Sequence, residues 1–130
     1  MADPKLKRKP SRPRPKTARQ KALLVCRACL DYKAEEPVIL QVAKLTSFTD
    51  YFVIVSGRST VQVQAIAEGV VAAIRGIGSR PFSTEGESEG RWAIVDWGDV
   101  VVHIFSQPLR EFYDLEKLWG DAKRVKPPKP

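Results

Sequence analysis

The 130-residue sequence contains few of the residues that build metal sites and no apolar run that approaches the roughly 20 residues needed to span a bilayer. It has two cysteines and one histidine, and no second CxxC or HxxxH pair is present to complete a tetrahedral zinc site. The N-terminus has no apolar signal-peptide core. We therefore expect a cytoplasmic protein that makes no membrane contact. The sequence is also compatible with a location inside an organelle.

The two cysteines form a single CxxC pair, which can be a redox couple or half of a zinc site. Cys26 and Cys29 lie within RQKALLVCRACLDY, where they share one helical face with Ala22 and Leu30. Such an apolar face usually packs into a core. We predict that both cysteines are small apolar core residues.

The formal net charge of +7 is concentrated at the two ends of the chain. Residues 1–16 carry a net charge of +6 and residues 123–130 a net charge of +4, whereas residues 17–122 carry 11 basic and 14 acidic side chains, a net charge of −3. Both ends are rich in proline and poor in apolar residues, so we predict disordered basic tails that contact phosphates loosely. The acidic middle favours a basic protein partner.

Hydrophobic periodicity predicts a single α/β domain over residues 17–122, with a small mixed β-sheet and helices packed on it. The predicted helices run from an N-cap at Thr17 to Lys33, from a capping box at Ser59 to Gly78, and from Pro108 onward with Leu109, Phe112, Leu115 and Leu118 inward. The predicted strands are Val38–Ala43, Tyr51–Ser56, Arg91–Asp96 and Val100–Ser106, with a loop at Pro81–Gly90.

The stretch DWGDVVVHIF, from Asp96 to Phe105, places two carboxylates close to the only histidine. Nucleotidyltransferases have a strand followed by a Gly/Ser turn and a helix, and VSGRST fits this layout here. A later strand in these enzymes carries a D-x-D pair, whose two carboxylates point to the same face and bind Mg²⁺. Asp96 and Asp99 are three residues apart across a turn, so strand geometry does not place them side by side. A Mg²⁺-dependent nucleotidyltransferase is the alternative hypothesis, and we predict no catalytic residue, no metal and no cofactor.

Each polar residue of this stretch also has a structural explanation. An aspartate beside a glycine turn can cap backbone N–H groups. His103 lies on the same strand face as Val101 and Phe105, and a lone histidine in an apolar strand is usually buried and hydrogen-bonded. We therefore predict a buried histidine rather than a general base.

The aromatic residues of the last third of the chain indicate an interaction surface. Trp92, Trp97, Tyr113 and Trp119 alternate with charged residues there. Trp97 occupies a turn and Trp119 a helix end, where complete burial is difficult. Because Trp, Tyr and Arg in a polar surround are typical of binding hot spots, we predict a protein-binding surface. The alternative is that all three tryptophans belong to the core.

Three segments resemble a known family: KLTSFTDYFVIVSG (44–57), EGRWAIVDWGDVVVHIF (89–105) and REFYDLEKLWGDA (110–122). In this order and spacing they resemble the ribosomal silencing factor family, also called the Iojap family, over roughly residues 18–122. The resemblance implies a nucleotidyltransferase-like α/β fold without the catalytic acids.

The same resemblance implies a ribosome-binding repressor of translation that is not an enzyme. Members of this family bind the large ribosomal subunit at universal large-subunit ribosomal protein fourteen, on the face where the small subunit docks. They thereby block subunit joining, or they assist maturation of the large subunit. The resemblance also implies a homodimer off the ribosome, and the basic tails outside the matched region are expected to contact ribosomal RNA weakly.

The motif residues of the family match ten positions of this chain. They are Trp92, Asp96, Asp99, His103, Arg110, Tyr113, Glu116, Leu118, Trp119 and Asp121. The resemblance implies partner contacts for all of these except His103 and Leu118, with Trp92, Tyr113 and Trp119 as anchors. The acidic members are expected to pair with Lys or Arg of the ribosomal protein.

Overall fold

The structure, a computed structural model, describes residues 14–130. In chain order the elements are α1 (Ala18–Asp31), β1 (Glu35–Gln41), β2 (Tyr51–Gly57), α2 (Thr60–Gly76), β3 (Ser83–Glu85), β4 (Trp92–Asp96), β5 (Val100–Ser106), α3 (Gln107–Tyr113), α4 (Leu115–Leu118) and β6 (Lys123–Val125). Most of the predicted N-terminal tail, residues 1–13, lies outside the described residues. Within residues 14–130 no helix is long and apolar enough to cross a membrane.

The six strands form one mixed sheet in the order β3-β4-β5-β2-β1-β6. The two central strands, β2 and β5, run parallel, and every other pair is antiparallel. Every residue of β2 is buried, as expected of a central strand that is covered on both faces. The predicted α/β class with a small mixed sheet is therefore confirmed.

Helices α1 and α2 begin at the predicted caps and cover one face of the sheet. The hydroxyl of Thr17 accepts a hydrogen bond from the backbone N–H of Gln20, and the hydroxyl of Ser59 accepts one from Gln62, both at 3.1 Å. Each bond satisfies one of the N–H groups that a helix start leaves unpaired, which contributes about 1 kcal/mol.

The two cysteines are core residues of α1, as predicted. Both are free and completely buried beneath the helical layer. Burial in apolar surroundings raises the pKa of Cys26 to about 12 and raises the pKa of Cys29 as well, because the thiolate form is poorly solvated there. Neither thiol is therefore activated as a nucleophile or a metal ligand.

Trp97 is buried, contrary to the expectation from its position in a turn. Only 4% of the residue is exposed, and its Nε1 donates a hydrogen bond to the hydroxyl of Ser79 at 3.0 Å. The ammonium of Lys21 lies 4.9 Å from the ring centroid. Helix α1 and the segment that follows α2 therefore enclose the β4–β5 turn, and this tryptophan belongs to the core.

The prediction of a disordered tail from residue 123 is wrong at its start. Strand β6 pairs with β1, and Val125 lies opposite Ile39 with its side chain buried. The prediction rested on charge and proline content and overlooked the single valine that attaches this segment to the sheet. The loop predicted at Pro81–Gly90 similarly contains the short strand β3.

The predicted inward side of the last helix is correct for Leu109 and Leu115 only. Both pack against the sheet, whereas Phe112 and Leu118 are 77% and 73% exposed. Asp114 adopts a left-handed conformation with φ of 47°, which ends α3 and starts α4 in a new direction. This break places two apolar side chains of the segment in solvent.

Candidate functional site

The two faces of the sheet have different coverings. Helices α1 and α2 pack on one face, in the same buried cluster as Val53 and Val102. Side chains alternate along a strand, so the neighbouring residues Phe52 and Val101 point to the opposite face. That second face is covered in part by α3, α4 and Trp119. The sheet residues of this face are buried beneath that covering, and partly exposed rings lie around them.

A row of aromatic side chains follows this second face. In spatial order its members are Tyr113, Trp92, His103, Phe52, Trp119 and Phe48, and we call this set the aromatic face. Successive ring centroids lie 4.6–6.5 Å apart, in tilted or edge-to-face arrangements. Ring pairs at such distances contribute about 0.5–1.5 kcal/mol each beyond the burial of their surface. The row is therefore a packed unit in which each ring restricts its neighbours.

Several of these rings are open to solvent although they are held in place. Phe48 is 62% exposed and Tyr113 is 46% exposed, while Trp92 and Trp119 are half-buried. Phe112 extends the surface, with its ring centroid 5.1 Å from that of Tyr113. Large apolar groups that are contiguous and exposed are typical of a protein-binding site.

The structure brings together the three predicted anchors and places beside them two aromatic residues that sequence reasoning did not single out, the exposed Phe48 and the buried Phe52. Trp92, Tyr113 and Trp119 lie on the aromatic face, as do Phe48 and Phe52. Phe52 was hidden in an entirely apolar strand, where it resembles an ordinary core residue. Phe48 did carry a signal, because it is a large apolar residue within the polar turn LTSFTD.

His103 lies in the middle of the aromatic face and fixes the orientation of Trp92. Its Nδ1 accepts a hydrogen bond from the Nε1–H of Trp92 at 3.2 Å, so the neutral imidazole carries its proton on Nε2. Burial lowers the pKa of this histidine to about 4, because the charged form loses its hydration. The imidazole is thus neutral at pH 7, and the prediction of a buried, hydrogen-bonded histidine is confirmed.

Arg110 and Glu116 form an ion pair in which the arginine is buried and the glutamate is half-buried. Arg110 is 5% exposed, and its Nη2 lies 3.1 Å from the Glu116 carboxylate. Its Nη1 donates to the Ser56 hydroxyl at 2.8 Å and to the Glu35 carbonyl at 3.4 Å. The pair therefore fastens α3 and α4 to the end of β2.

The two hairpin aspartates have separate internal partners. Asp96 accepts a hydrogen bond from the backbone N–H of Gly98 at 2.8 Å, which stabilises the turn. Asp99 binds the ammonium of Lys21 at 3.1 and 3.3 Å, on the side of helix α1. Among the four acids predicted to contact a partner, Asp121 is the one that is exposed.

The described residues lack a clustered set of metal ligands. Between residues 14 and 130, no group of three or more His, Cys, Asp or Glu side chains is placed to hold a metal ion. The fold and the site together define a class: a small mixed α/β protein that has a helical layer on one face of its sheet and a row of aromatic side chains on the other.

Comparison with known proteins identifies the family within this class. The family model described as "Ribosomal silencing factor during starvation" matches residues 15–130. The chain therefore belongs to the ribosomal silencing factor family, and the resemblance found in its three sequence segments is confirmed.

Relatives and a solved structure support this assignment. The chain is 44% identical over 105 residues to "Ribosomal silencing factor RsfS" of Bacillus subtilis, a match that covers 79% of this chain and 89% of that protein. It is 34% identical over 110 residues to "Protein Iojap, chloroplastic" of Zea mays, covering 82% of this chain and 46% of that protein. A crystal structure of a protein from Chromobacterium violaceum is similar with a TM-score of 0.78 at 33% identity, covering 88% of this chain and 90% of that one.

Proposed function

We propose that this protein binds the large ribosomal subunit at universal large-subunit ribosomal protein fourteen and prevents the small subunit from joining. The observation that carries the proposal is the aromatic face, whose exposed rings are held in place on the sheet. Three exposed acids, Glu111, Asp114 and Asp121, lie on or beside α3 and α4. Apolar anchors surrounded by acidic residues suit a basic ribosomal protein.

The mechanism is steric and requires no chemistry. A folded body that occupies the surface where the small subunit docks excludes the contacts that join the subunits, and translation is repressed. The acidic residues increase the rate of encounter with a basic surface, whereas the packed rings slow dissociation. The same occupation of the large subunit can accompany its maturation.

Cosedimentation with purified large subunits tests the binding site. Trp119→Ala removes a half-buried ring of the aromatic face, and we expect at least a 30-fold loss of affinity, since a hot-spot truncation costs about 2 kcal/mol or more. Phe112→Ala removes an exposed ring from the same surface and should weaken binding by about 5-fold to 10-fold.

Phe82→Ala is the matched control for Phe112→Ala. Phe82 is 78% exposed, almost the same as Phe112, but it precedes β3 near Gly98 and is not part of the aromatic face. We expect its replacement to leave subunit binding unchanged. Equal losses for the two phenylalanine variants would place the binding site elsewhere.

A subunit-joining assay tests the mechanism separately from binding. Added to free subunits, the protein should lower the fraction of joined ribosomes, and the Trp119→Ala variant should not. If the protein binds the large subunit while joining proceeds normally, the proposed binding stands and the proposed steric mechanism is excluded.

The proposal also includes a cytoplasmic location, a homodimer away from the ribosome and weak contact of the basic tails with ribosomal RNA. Exposed rings such as Phe48 and Phe112 favour self-association at high concentration. Analytical ultracentrifugation over a concentration series measures the dimer. A chain that stays monomeric at the highest soluble concentration excludes it.

The alternative hypothesis, a Mg²⁺-dependent nucleotidyltransferase, predicts a different result. A nucleotidyltransferase requires Mg²⁺-dependent binding of a nucleoside triphosphate at Gly57–Ser59, and this binding should be lost in the Asp96→Asn and Asp99→Asn variants. Calorimetry at millimolar nucleotide measures it directly. In our proposal the hairpin carboxylates are structural, so we expect no nucleotide binding with or without Mg²⁺.

A further inference from the structure

The fold brings together two segments of the chain that contain basic residues and no acidic ones. Residues 14–30 contain five Lys or Arg and residues 123–130 contain four, with no Asp or Glu in either segment. The intervening residues 31–122 contain eight basic and fourteen acidic residues, a net charge of −6. The charge is thus separated along the sequence, and its placement in space depends on the fold.

The C-terminal segment is attached to the sheet and then approaches helix α1. Its start is fixed by the pairing of β6 with β1 and by the buried side chain of Val125. The half-buried Pro128 lines a shallow groove on the outer side of α1 together with Arg14, Leu23 and Arg27. The two basic segments therefore meet on the helical layer of the protein, which is opposite the aromatic face.

Most of the cations at this junction are exposed. We call them the basic surface: Arg14, Lys16, Arg19, Arg27, Lys126 and Lys129. All are exposed except Arg27, which is half-buried. Lys21 is not included, because Asp99 binds its ammonium at 3.1 Å. Like charges held together by a fold repel one another, and this repulsion is relieved when a polyanion neutralises them.

An RNA backbone fits this surface better than a membrane does. Binding to an anionic membrane combines cations with apolar side chains that insert between the lipids. The large apolar side chains that are exposed within residues 14–130 all lie outside the two basic segments. The basic surface therefore presents charge without an inserting group, which suits a phosphodiester backbone.

We propose that the basic surface binds the sugar–phosphate backbone of RNA while the aromatic face on the other side of the sheet binds protein. This inference rests on the proposed function, which includes weak contact between the basic tails and ribosomal RNA. It assigns that contact to particular cations that the fold brings together. The recognition is electrostatic and independent of sequence, since phosphate contacts carry no base information.

Fluorescence anisotropy of the full chain with a labelled RNA hairpin tests the assignment. Three variants each lose four positive charges. The basic-surface variant carries Arg19→Gln, Arg27→Gln, Lys126→Gln and Lys129→Gln. The body control carries Lys44→Gln, Arg75→Gln, Arg91→Gln and Lys117→Gln, and the N-terminal control carries Lys5→Gln, Lys7→Gln, Arg8→Gln and Lys9→Gln.

We expect the basic-surface variant to bind the hairpin at least 10-fold more weakly than the unaltered chain at low salt. The slope of log affinity against log salt should fall by about 3, because each lost phosphate contact removes about 0.7–0.9 from it. Each control should lose less than 3-fold, and the Trp119→Ala variant should keep its affinity for the hairpin.

Other results would overturn the inference in distinguishable ways. A loss of affinity confined to the N-terminal control would assign the RNA contact to residues 1–13 instead of the basic surface and would leave the proposed ribosome binding intact. Equal losses of affinity in the basic-surface variant and the body control would show that hairpin binding depends on net charge alone and not on the basic surface. Tighter binding to vesicles of phosphatidylcholine and phosphatidylserine than to the hairpin would assign the surface to a membrane.

Discussion

The guanidinium of Arg110 lies 3.1 Å from the carboxylate of Glu116, at a site where the arginine is 5% exposed. The two residues are six positions apart, on α3 and α4, and the left-handed Asp114 between the helices turns the chain so that they meet. The pair therefore helps to hold the ring-bearing segment of α3 and α4 against the sheet, together with the packing of Leu109 and Leu115.

Removal of one member of this pair should be strongly destabilising. Arg110→Ala leaves the carboxylate of Glu116 and the hydroxyl of Ser56 without their partner, and we expect a loss of about 3–5 kcal/mol in the free energy of unfolding. Urea denaturation measures it. Arg58→Ala, which breaks the solvent-exposed pair between Arg58 and Glu35, is the control and should cost less than about 1 kcal/mol. Similar losses in the two variants would contradict the assignment.

The stability of the protein should fall in mild acid because of His103. Its pKa is lowered from 6.5 to about 4 in the folded protein, so the unfolded chain binds a proton first as the pH falls. The contribution of the neutral imidazole is therefore fully present above about pH 6.5 and is lost progressively toward pH 4. Between pH 7.5 and pH 5 we expect a loss of about 2 kcal/mol.

Urea denaturation of His103→Asn at the same pH values isolates this contribution. Asparagine offers an oxygen that can accept the hydrogen bond of Trp92, and it does not titrate. The difference in stability between the two proteins should shrink as the pH falls, because only the chain with histidine takes up the proton on unfolding. A constant difference from pH 7.5 to pH 5 would exclude the buried neutral histidine.

Val125 should contribute to stability although it lies in a basic, proline-rich segment. Val125→Ala removes buried apolar volume between β6 and the helical layer, and we expect a cost of about 1–3 kcal/mol. Val61→Ala is the matched control, since Val61 is 73% exposed on α2, and it should change the free energy of unfolding by less than about 0.5 kcal/mol. Thermal or urea unfolding of both variants gives the comparison.

Gly86 should not tolerate a side chain. Its φ is +77°, and a Cβ there would collide with the carbonyl oxygen of Trp92, so Gly86→Ala should lower stability by about 2 kcal/mol or more and disturb the start of β4. Gly76 ends α2 with open space around it, and Gly76→Ala should be neutral or stabilising by up to about 1 kcal/mol. Unfolding curves that rank the two variants in the reverse order would contradict this account.

The sequence predicted the elements whose signals are local. The caps at Thr17 and Ser59 and the unbroken apolar run of β2 each depend on residues within a few positions, and all are found where they were expected. The enclosure of Trp97 depends instead on Ser79 and Lys21, which are distant in the chain. Composition within the turn could not reveal it.

The candidate site was predictable in part for the same reason. Trp92 and Trp119 were recognisable as candidate anchors because tryptophans interleaved with charged residues are conspicuous and because the family resemblance covers both positions. The position of Phe52 beneath Trp119 required knowledge of which residues pack on each face of the sheet, and the burial of Arg110 required knowledge that Glu116 folds back onto it. Pairings created by the tertiary fold therefore account for most of what sequence reasoning left undecided.

The mutual packing of the rings on the aromatic face has a consequence for the thermodynamics of association. A tryptophan on a mobile loop must give up rotamer freedom when a partner captures it, a cost of about 0.5–1.5 kcal/mol for each immobilised side chain. Trp92 and Trp119 are already confined by Phe105 and Phe52, at 4.7 and 5.2 Å between ring centroids. Much of that entropy is already lost in the free protein. If a partner binds these rings, less of the favourable free energy of contact is offset by immobilisation.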